Sequence, residues 1–248
     1  MRQIFSSLDT DNISTFHAKK FPDLAVWLDA SDLSTITKNG SNLISQWADK
    51  SGNNNHATQL VGANQPLFTS SSSQNYMPAI HSIANDMLTI ADSPTLNYNE
   101  CSIFMVHNLI AGSGNFSYAL WKWSGSGNYE FILTGMNDTI SASRLFTSSN
   151  GTTIDGIIDG PTPRNNGTTS LLELQYSGTE INFLTSGTPQ GTDTTPGTIH
   201  NGGADLTIFN GAASIIQETQ EILIFTSELS TEQKQHVRNY LIQKWRII

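Results

Sequence analysis

The stretch from Leu24 to Gln59, LAVWLDASDLSTITKNGSNLISQWADKSGNNNHATQ, constrains the fold more than any other part of the chain. Leu24, Val26 and Leu28 alternate with Ala25, Trp27 and Asp29, the period of a strand with one face in a core. Asn39-Gly40 then turns the chain, because both residue types tolerate positive φ. Leu43 to Trp47 reads as a second short strand, and DKSGNNN at 49–55 as a rigid polar loop.

The rest of the chain continues in the same way. Strand patterns fall at 57–60, 66–68, 79–83, 87–90, 102–109, 118–123, 129–134, 140–146, 153–158, 170–176, 180–185, 205–209 and 215–225. About a dozen antiparallel strands at this spacing is the arithmetic of a β-sandwich rather than of βαβ units. Ser102 to Leu109 is apolar on both faces, which marks a central strand. Thr69 to Asn75, TSSSSQN, reads as a low-complexity surface loop, and the Gly-, Thr- and Pro-rich 185–201 as an exposed loop or sheet edge. A single helix is expected near the end. Ser230 and Gln233 have the capping-box spacing. Val237, Tyr240, Leu241, Lys244 and Trp245 share one helical face, expected to cover an open end of the sandwich. At 248 residues, with only 13% charged, the chain suits one all-β domain.

Two groups of residues carry a family resemblance. WLDASD at 27–32, QWADKSGNNNHATQ at 46–59 and QP at 65–66 resemble the opening of a laminin-G-like, concanavalin A-like jelly-roll domain. EILIFTSELSTEQKQHVRNYLIQKW at 221–245 resembles the last core strand and closing helix of that family. The resemblance implies an all-β jelly-roll sandwich with one short C-terminal helix. It also implies the setting of such domains, in phage virions and on bacterial surfaces. Residues 1–21 are expected as an N-terminal arm, either packed on the sandwich or docked on a neighbouring subunit, and residues 22–248 as the jelly-roll domain.

The net charge of −9, with 12 scattered Lys and Arg, leaves no basic patch for nucleic acid or an anionic membrane. Cys101 is the only cysteine, which excludes an internal disulfide. Its place in an apolar strand makes a buried, inert thiol the expectation. No apolar run reaches membrane-spanning length, and MRQIFSSLDTDNIS lacks the apolar segment of a signal peptide. Together with the resemblance, this leads to an expectation of a protein assembled into a virion, with the bacterial surface or secretion as the alternative.

Chemistry is sparse. Glycoside hydrolysis needs two carboxyls roughly 5–10 Å apart, yet no E-x-D-x-E run occurs, and Glu130, Glu173, Glu180, Glu218 and Glu221 are spread over separate strands or faces. The six His show no metal spacing, and Gly125-Ser126-Gly127 is only a glycine turn. A non-enzyme is therefore expected. Asp49, Asn53 and Asn55 form a candidate calcium loop, because calcium takes six to eight oxygens from such side chains and carbonyls. The competing reading is that they cap turns through their own backbone. Trp121 and Trp123, on one face opposite Lys122, are either a sugar-stacking platform or sheet packing. Trp27, Trp47 and Trp245 belong to the core by pattern.

The expected function is a non-catalytic structural or binding part of a phage virion, a capsid decoration or head or tail appendage. Its partners would be other virion proteins or further copies of itself, with host-surface glycans as additional ligands. A carbohydrate-binding adhesin or receptor-binding module is the alternative, and a glycoside hydrolase the third reading. No cofactor is required beyond the calcium considered above.

Overall fold

The computed structural model describes residues 21–111, 117–123, 125, 129–136, 142–154, 156–163, 167–194, 196–211 and 215–247. The arm expected over residues 1–21 lies outside them apart from Phe21, as do 112–115 and most of the 124–128 turn. Phe21 is buried, its ring 5.3 Å from Phe225 and 6.0 Å from His236.

In chain order the strands are β1 (Leu24–Asp29), β2 (Ile36–Lys38), β3 (Ile44–Trp47), β4 (Ala57–Thr58), β5 (Leu67–Thr69), β6 (Ala79–Ile83), β7 (Leu88–Ile90), β8 (Cys101–Ala111) and β9 (Ser117–Trp123). There follow β10 (Tyr129–Met136), β11 (Ala142–Thr147), β12 (Gly156–Pro163), β13 (Ser170–Tyr176), β14 (Ile181–Thr185), β15 (Thr188–Asp193), β16 (Leu206–Gly211), β17 (Ile216–Phe225) and the helix α1 (Thr231–Trp245). They form two antiparallel sheets. One has eight strands in the order β15-β14-β13-β8-β17-β6-β5, with β1 also on β17; the other has nine, β12-β11-β10-β9-β16-β7-β4-β3-β2. The sandwich is thus all-β, as the pattern predicts.

The described residues form seventeen strands, more than the expected dozen; those without a strand pattern in the sequence are β2, three residues long, and β15, which lies in the 185–201 stretch and forms an edge of the eight-stranded sheet. β2 holds too few residues to show a period, and its partner β3 defines it. β8 is central, between β13 and β17, and Ile103, Phe104, Met105 and Val106 are all buried. One face of β8 points into the sandwich and the other lies under α1. Cys101 is buried and free, and burial pushes its thiol pKa up. The thiol stays protonated.

Ser230 caps α1 as expected: its hydroxyl accepts from the Gln233 N–H while the Gln233 side chain accepts from the Ser230 N–H. Val237, Tyr240, Leu241 and Trp245 are buried. The helix covers the outer face of the eight-stranded sheet, not an open end of the sandwich. Arg238 grips Glu173 of β13 with two bonds of 2.9 and 2.8 Å. Further along, Glu221 of β17 accepts from Tyr240 (2.8 Å), Lys244 (2.8 Å) and the Trp245 indole (2.5 Å). The Trp27 indole of β1 donates to the same carboxylate at 2.8 Å. Trp27 is therefore half-buried at the sheet surface, with Lys50 4.3 Å above its ring, while Trp47 and Trp245 are core residues.

The loop at 69–75 lies at the surface as expected, with Ser70, Ser71, Ser73 and Gln74 exposed, but it is also tied down. Ser72 is buried, Ser73 donates to Glu218, and Asn75 donates to Gln220 and to the Trp245 carbonyl. Its serines and amides fill the polar end of the β17 face that α1 leaves uncovered. Hydrogen bonding, not hydropathy, packs it down.

Lys244 bridges two carboxylates, Asp29 Oδ1 at 2.9 Å and Glu221 Oε2 at 2.8 Å. Burial pushes the Glu221 pKa up, against the pull of Lys244 and the donors around it. At Asp29 burial acts in the same upward sense, but Lys244, with bonds from Ser31 and Lys50, outweighs it and holds the pKa below its ordinary value. Removing one partner of a buried charge set costs about 3–5 kcal/mol, so Glu221→Ala should lose about 4 kcal/mol in urea unfolding. Asp29, ionised more readily when folded, stabilises the protein above about pH 4, the unfolded carboxyl value. That contribution is lost as pH falls through the folded value, whereas Glu221, shifted up, works in the opposite sense. Urea midpoints measured from pH 6 down to 2 should fall less steeply for Asp29→Asn than for the wild type.

Candidate functional site

β9 supplies the first candidate. Trp121 and Trp123 are half-buried on the outer face of the nine-stranded sheet, and Lys122 between them points into the core with no exposure. They are not interior packing. Lys122 is held there by Glu130 at 2.9 Å, Asp92 at 3.1 Å and the Leu96 carbonyl at 2.8 Å. Alternation alone assigns Tyr118 to the Lys122 side. Instead Ala119 and Leu120 are consecutive buried residues, and the register against β10 slips there. This bulge flips Tyr118 outward. Phe209 opposite, at φ 66, accommodates the same irregularity in β16.

Four rings consequently line up: Tyr118–Trp121 at 6.1 Å, Trp121–Trp123 at 5.9 Å, and Trp123 stacked on Tyr129 at 5.0 Å and 20°. Both indole N–H groups are tied down, Trp121 to the Phe209 carbonyl at 3.1 Å and Trp123 to the Gly125 carbonyl at 2.6 Å. The rings are fixed, and what they offer outward is π surface. Tyr118 is partly desolvated, which raises its phenol pKa.

The outer face divides at this row. Towards β2 the register partners in line with Trp121 are Thr207, Thr89, Thr58, Gln46 and Thr37. Towards β12 the surface is apolar, with Phe146 half-buried and Ile157 53% and Ile154 40% exposed. The Arg144–Asp159 ion pair sits among them, the guanidinium 5.2 Å over the Phe146 ring. This half of the sheet thus exposes more apolar surface than the threonine-lined half.

The DKSGNNN loop is organised differently. Asp49 Oδ1 accepts from the Trp27 and Ser51 N–H groups, and Oδ2 from the Ser51 hydroxyl and the Asn55 N–H. Asn53 donates to the Leu24 carbonyl at 2.8 Å, and Asn55 to the Ala25 carbonyl at 2.9 Å and to Thr95. Asn55 Oδ1 accepts from Ser93. Both carboxylate oxygens are thus engaged by donors, and two of the three side chains present N–H to the backbone. The set does not fit calcium, which needs free oxygens. It is a clasp that holds the loop to the edge of β1. Among the described residues no group of three or more His, Cys, Asp or Glu could hold a metal.

The strand carboxylates are engaged as well. Glu130 accepts from the Gly202 and Ala204 N–H groups besides pairing with Lys122. Glu173 is bound by Arg238, and Glu218 by Ser73 and His81. Glu180 accepts from Asn182.

No protein-family model and no curated protein sequence matches the chain. Solved structures do. The binding domain of Paraclostridial Mosquitocidal Protein 1 superposes at a TM-score of 0.68 with 10% identity, over 93% of this chain and 56% of that one. The botulinum neurotoxin type G receptor binding domain gives 0.59 and 12%, over 89% and 51%. The binding domain of botulinum neurotoxin DC in complex with SialylT gives 0.61 and 12%, over 88% and 52%. The chain spans about half the length of each. Likeness at this identity establishes the fold, a jelly-roll β-sandwich. It does not reach the narrower concanavalin A-like family or the phage setting.

Asp49→Ala leaves three backbone N–H groups without their acceptor, which should cost about 3 kcal/mol. Thermal melts with calcium and with a chelator should coincide, for the wild type and the variant alike.

Proposed function

We propose that this protein is a non-catalytic binding module that docks on cell-surface glycans through the aromatic half of its nine-stranded sheet. The observation that carries this reading is the row Tyr118, Trp121, Trp123, Tyr129 on an outer sheet face. Aromatic faces stack on the apolar faces of sugar rings and give large contact area with few rotatable bonds. Their fixed indoles limit the entropy lost on binding. The neighbouring folds agree in kind: one was solved with SialylT, and another is described by the dependence of botulinum neurotoxin type C cell entry on two ganglioside molecules. Support for a non-catalytic role is the engagement of Glu130, Glu173, Glu180, Glu218 and Glu221 in contacts that hold the fold. On a phage particle or a bacterial surface, such a module would meet host glycans directly.

A glycan array followed by titration tests the reading. Trp121→Ala and Trp123→Ala, at half-exposed positions, should fold and should each weaken binding at least tenfold, about 1.4 kcal/mol. Absence of any glycan ligand, or unchanged affinity in both variants, sinks it. If the wild type instead self-associates in light scattering and the variants are monomeric, the aromatic half is a subunit contact, as the virion-assembly expectation requires.

A further inference from the structure

We infer that a second site, on the helix side of the eight-stranded sheet, binds an acidic sugar by its carboxylate. The site is an open cavity of about 210 Å³ lined by Gln74, Asn75, Thr168, Thr169 and Arg246. It lies across the sandwich from the aromatic row and stands independently of it.

Arg246 is the starting point. It ends α1 in a left-handed conformation at φ 52 and is exposed. Among the described residues Lys50, Lys122, Arg144, Lys234, Arg238 and Lys244 each hold a carboxylate, and Lys38 bonds Asn42. Arg246 alone of these cations has no hydrogen bond or ion pair among the described residues. In a chain of net charge −9, an uncommitted guanidinium beside a cavity is available to an anionic ligand.

The other walls supply neutral hydrogen-bonding groups. Gln74 Oε1 accepts from the Thr169 N–H, which leaves the Gln74 amide donors without an acceptor among the described residues. Thr169 is 6% exposed, and its hydroxyl has no partner. Asn75 is already committed to Gln220 and the Trp245 carbonyl, so it shapes the wall. Among the described residues one negative influence is near, the C-terminal end of α1, equivalent to about half an elementary charge. Asn75 caps its Trp245 carbonyl at 2.7 Å, and a full guanidinium charge exceeds the remainder. Glu218 does not line the cavity and is taken up by Ser73 and His81.

This set selects among anions. A guanidinium fork matches a carboxylate with two parallel bonds. A phosphate dianion would meet only one cation. The amide and hydroxyl groups suit a ligand whose remaining polar groups are hydroxyls, and the volume suits a small ligand. A sugar acid meets all three conditions.

Calorimetric titration of the full chain with N-acetylneuraminic acid, glucuronic acid, galactose and inorganic phosphate decides the matter. At least one sugar acid should bind, with galactose and phosphate at least tenfold weaker. Arg246→Gln and Gln74→Glu should each lower its affinity at least tenfold, and Lys38→Gln, an exposed cation on β2 outside both sites, should leave it unchanged. Gln74→Glu keeps an acceptor for the Thr169 N–H while adding a negative charge at an exposed position, so it carries the test if Arg246→Gln fails to fold. The inference is overturned if neither sugar acid binds, if galactose or phosphate binds as tightly, or if both cavity variants retain wild-type affinity.

Discussion

Glu221 accepts four hydrogen bonds in the interior, from Trp27 of β1 and from Tyr240, Lys244 and Trp245 of α1. A fully buried carboxylate without partners carries a penalty of several kcal/mol, so these four donors are conditions for the fold rather than additions to it. They set the pairing of β1 with β17, where Asp29 lies directly opposite Glu221, and the position of α1 over that sheet. The Asp49 loop then clamps β1 from its other side. Burial and the neighbouring carboxylates push the Tyr240 phenol pKa far up, which favours its role as a donor to Glu221. Opening, closing strand and final helix are thereby fastened as one unit.

With that unit fixed, the two outer faces of the sandwich are free to differ. The eight-stranded sheet is covered by α1 and by the polar 69–75 loop, and one of the cavities left beside them carries an uncommitted cation. Among the described residues no helix lies over the nine-stranded sheet, and its exposed half carries the aromatic row. The aromatic row rests on strands, which hold side chains more firmly than loops do, while the cavity is walled by the 69–75 loop, the residues before β13 and the end of α1. Function here would be a property of surfaces on a rigid scaffold, as is common for sandwich folds.

Much of the fold is legible in the chain because it is decided locally. The Ser230–Gln233 cap, the apolar run of β8 and the hairpins β9–β10 and β13–β14 rest on residues close in sequence. The three-residue β2 and the outward turn of Tyr118 do not, since pairing partners decide both. Trp121 and Trp123 are visible as a pair, but their row needs the bulge that brings in Tyr118 and the hairpin that brings in Tyr129. The composition of TSSSSQN says exposed, and most of it is; what it hides are the bonds to Glu218, Gln220 and the end of α1, more than 140 residues away along the chain. The cavity is wholly hidden in sequence, since its walls come from residues 74–75, 168–169 and 246. The candidate calcium residues were recognisable as a set, while their direction, N–H towards the backbone, is three-dimensional information.

The division of the nine-stranded sheet along β9 gives the molecule a handed footprint. Threonines and a glutamine on one flank keep their water, while rings and isoleucines on the other shed it. A flat partner settling on this face would be drawn down on the β10–β12 side and held off on the β2–β4 side, so the sandwich would stand tilted rather than lie flush. The helix-side cavity would then face away from that partner, open to a second one.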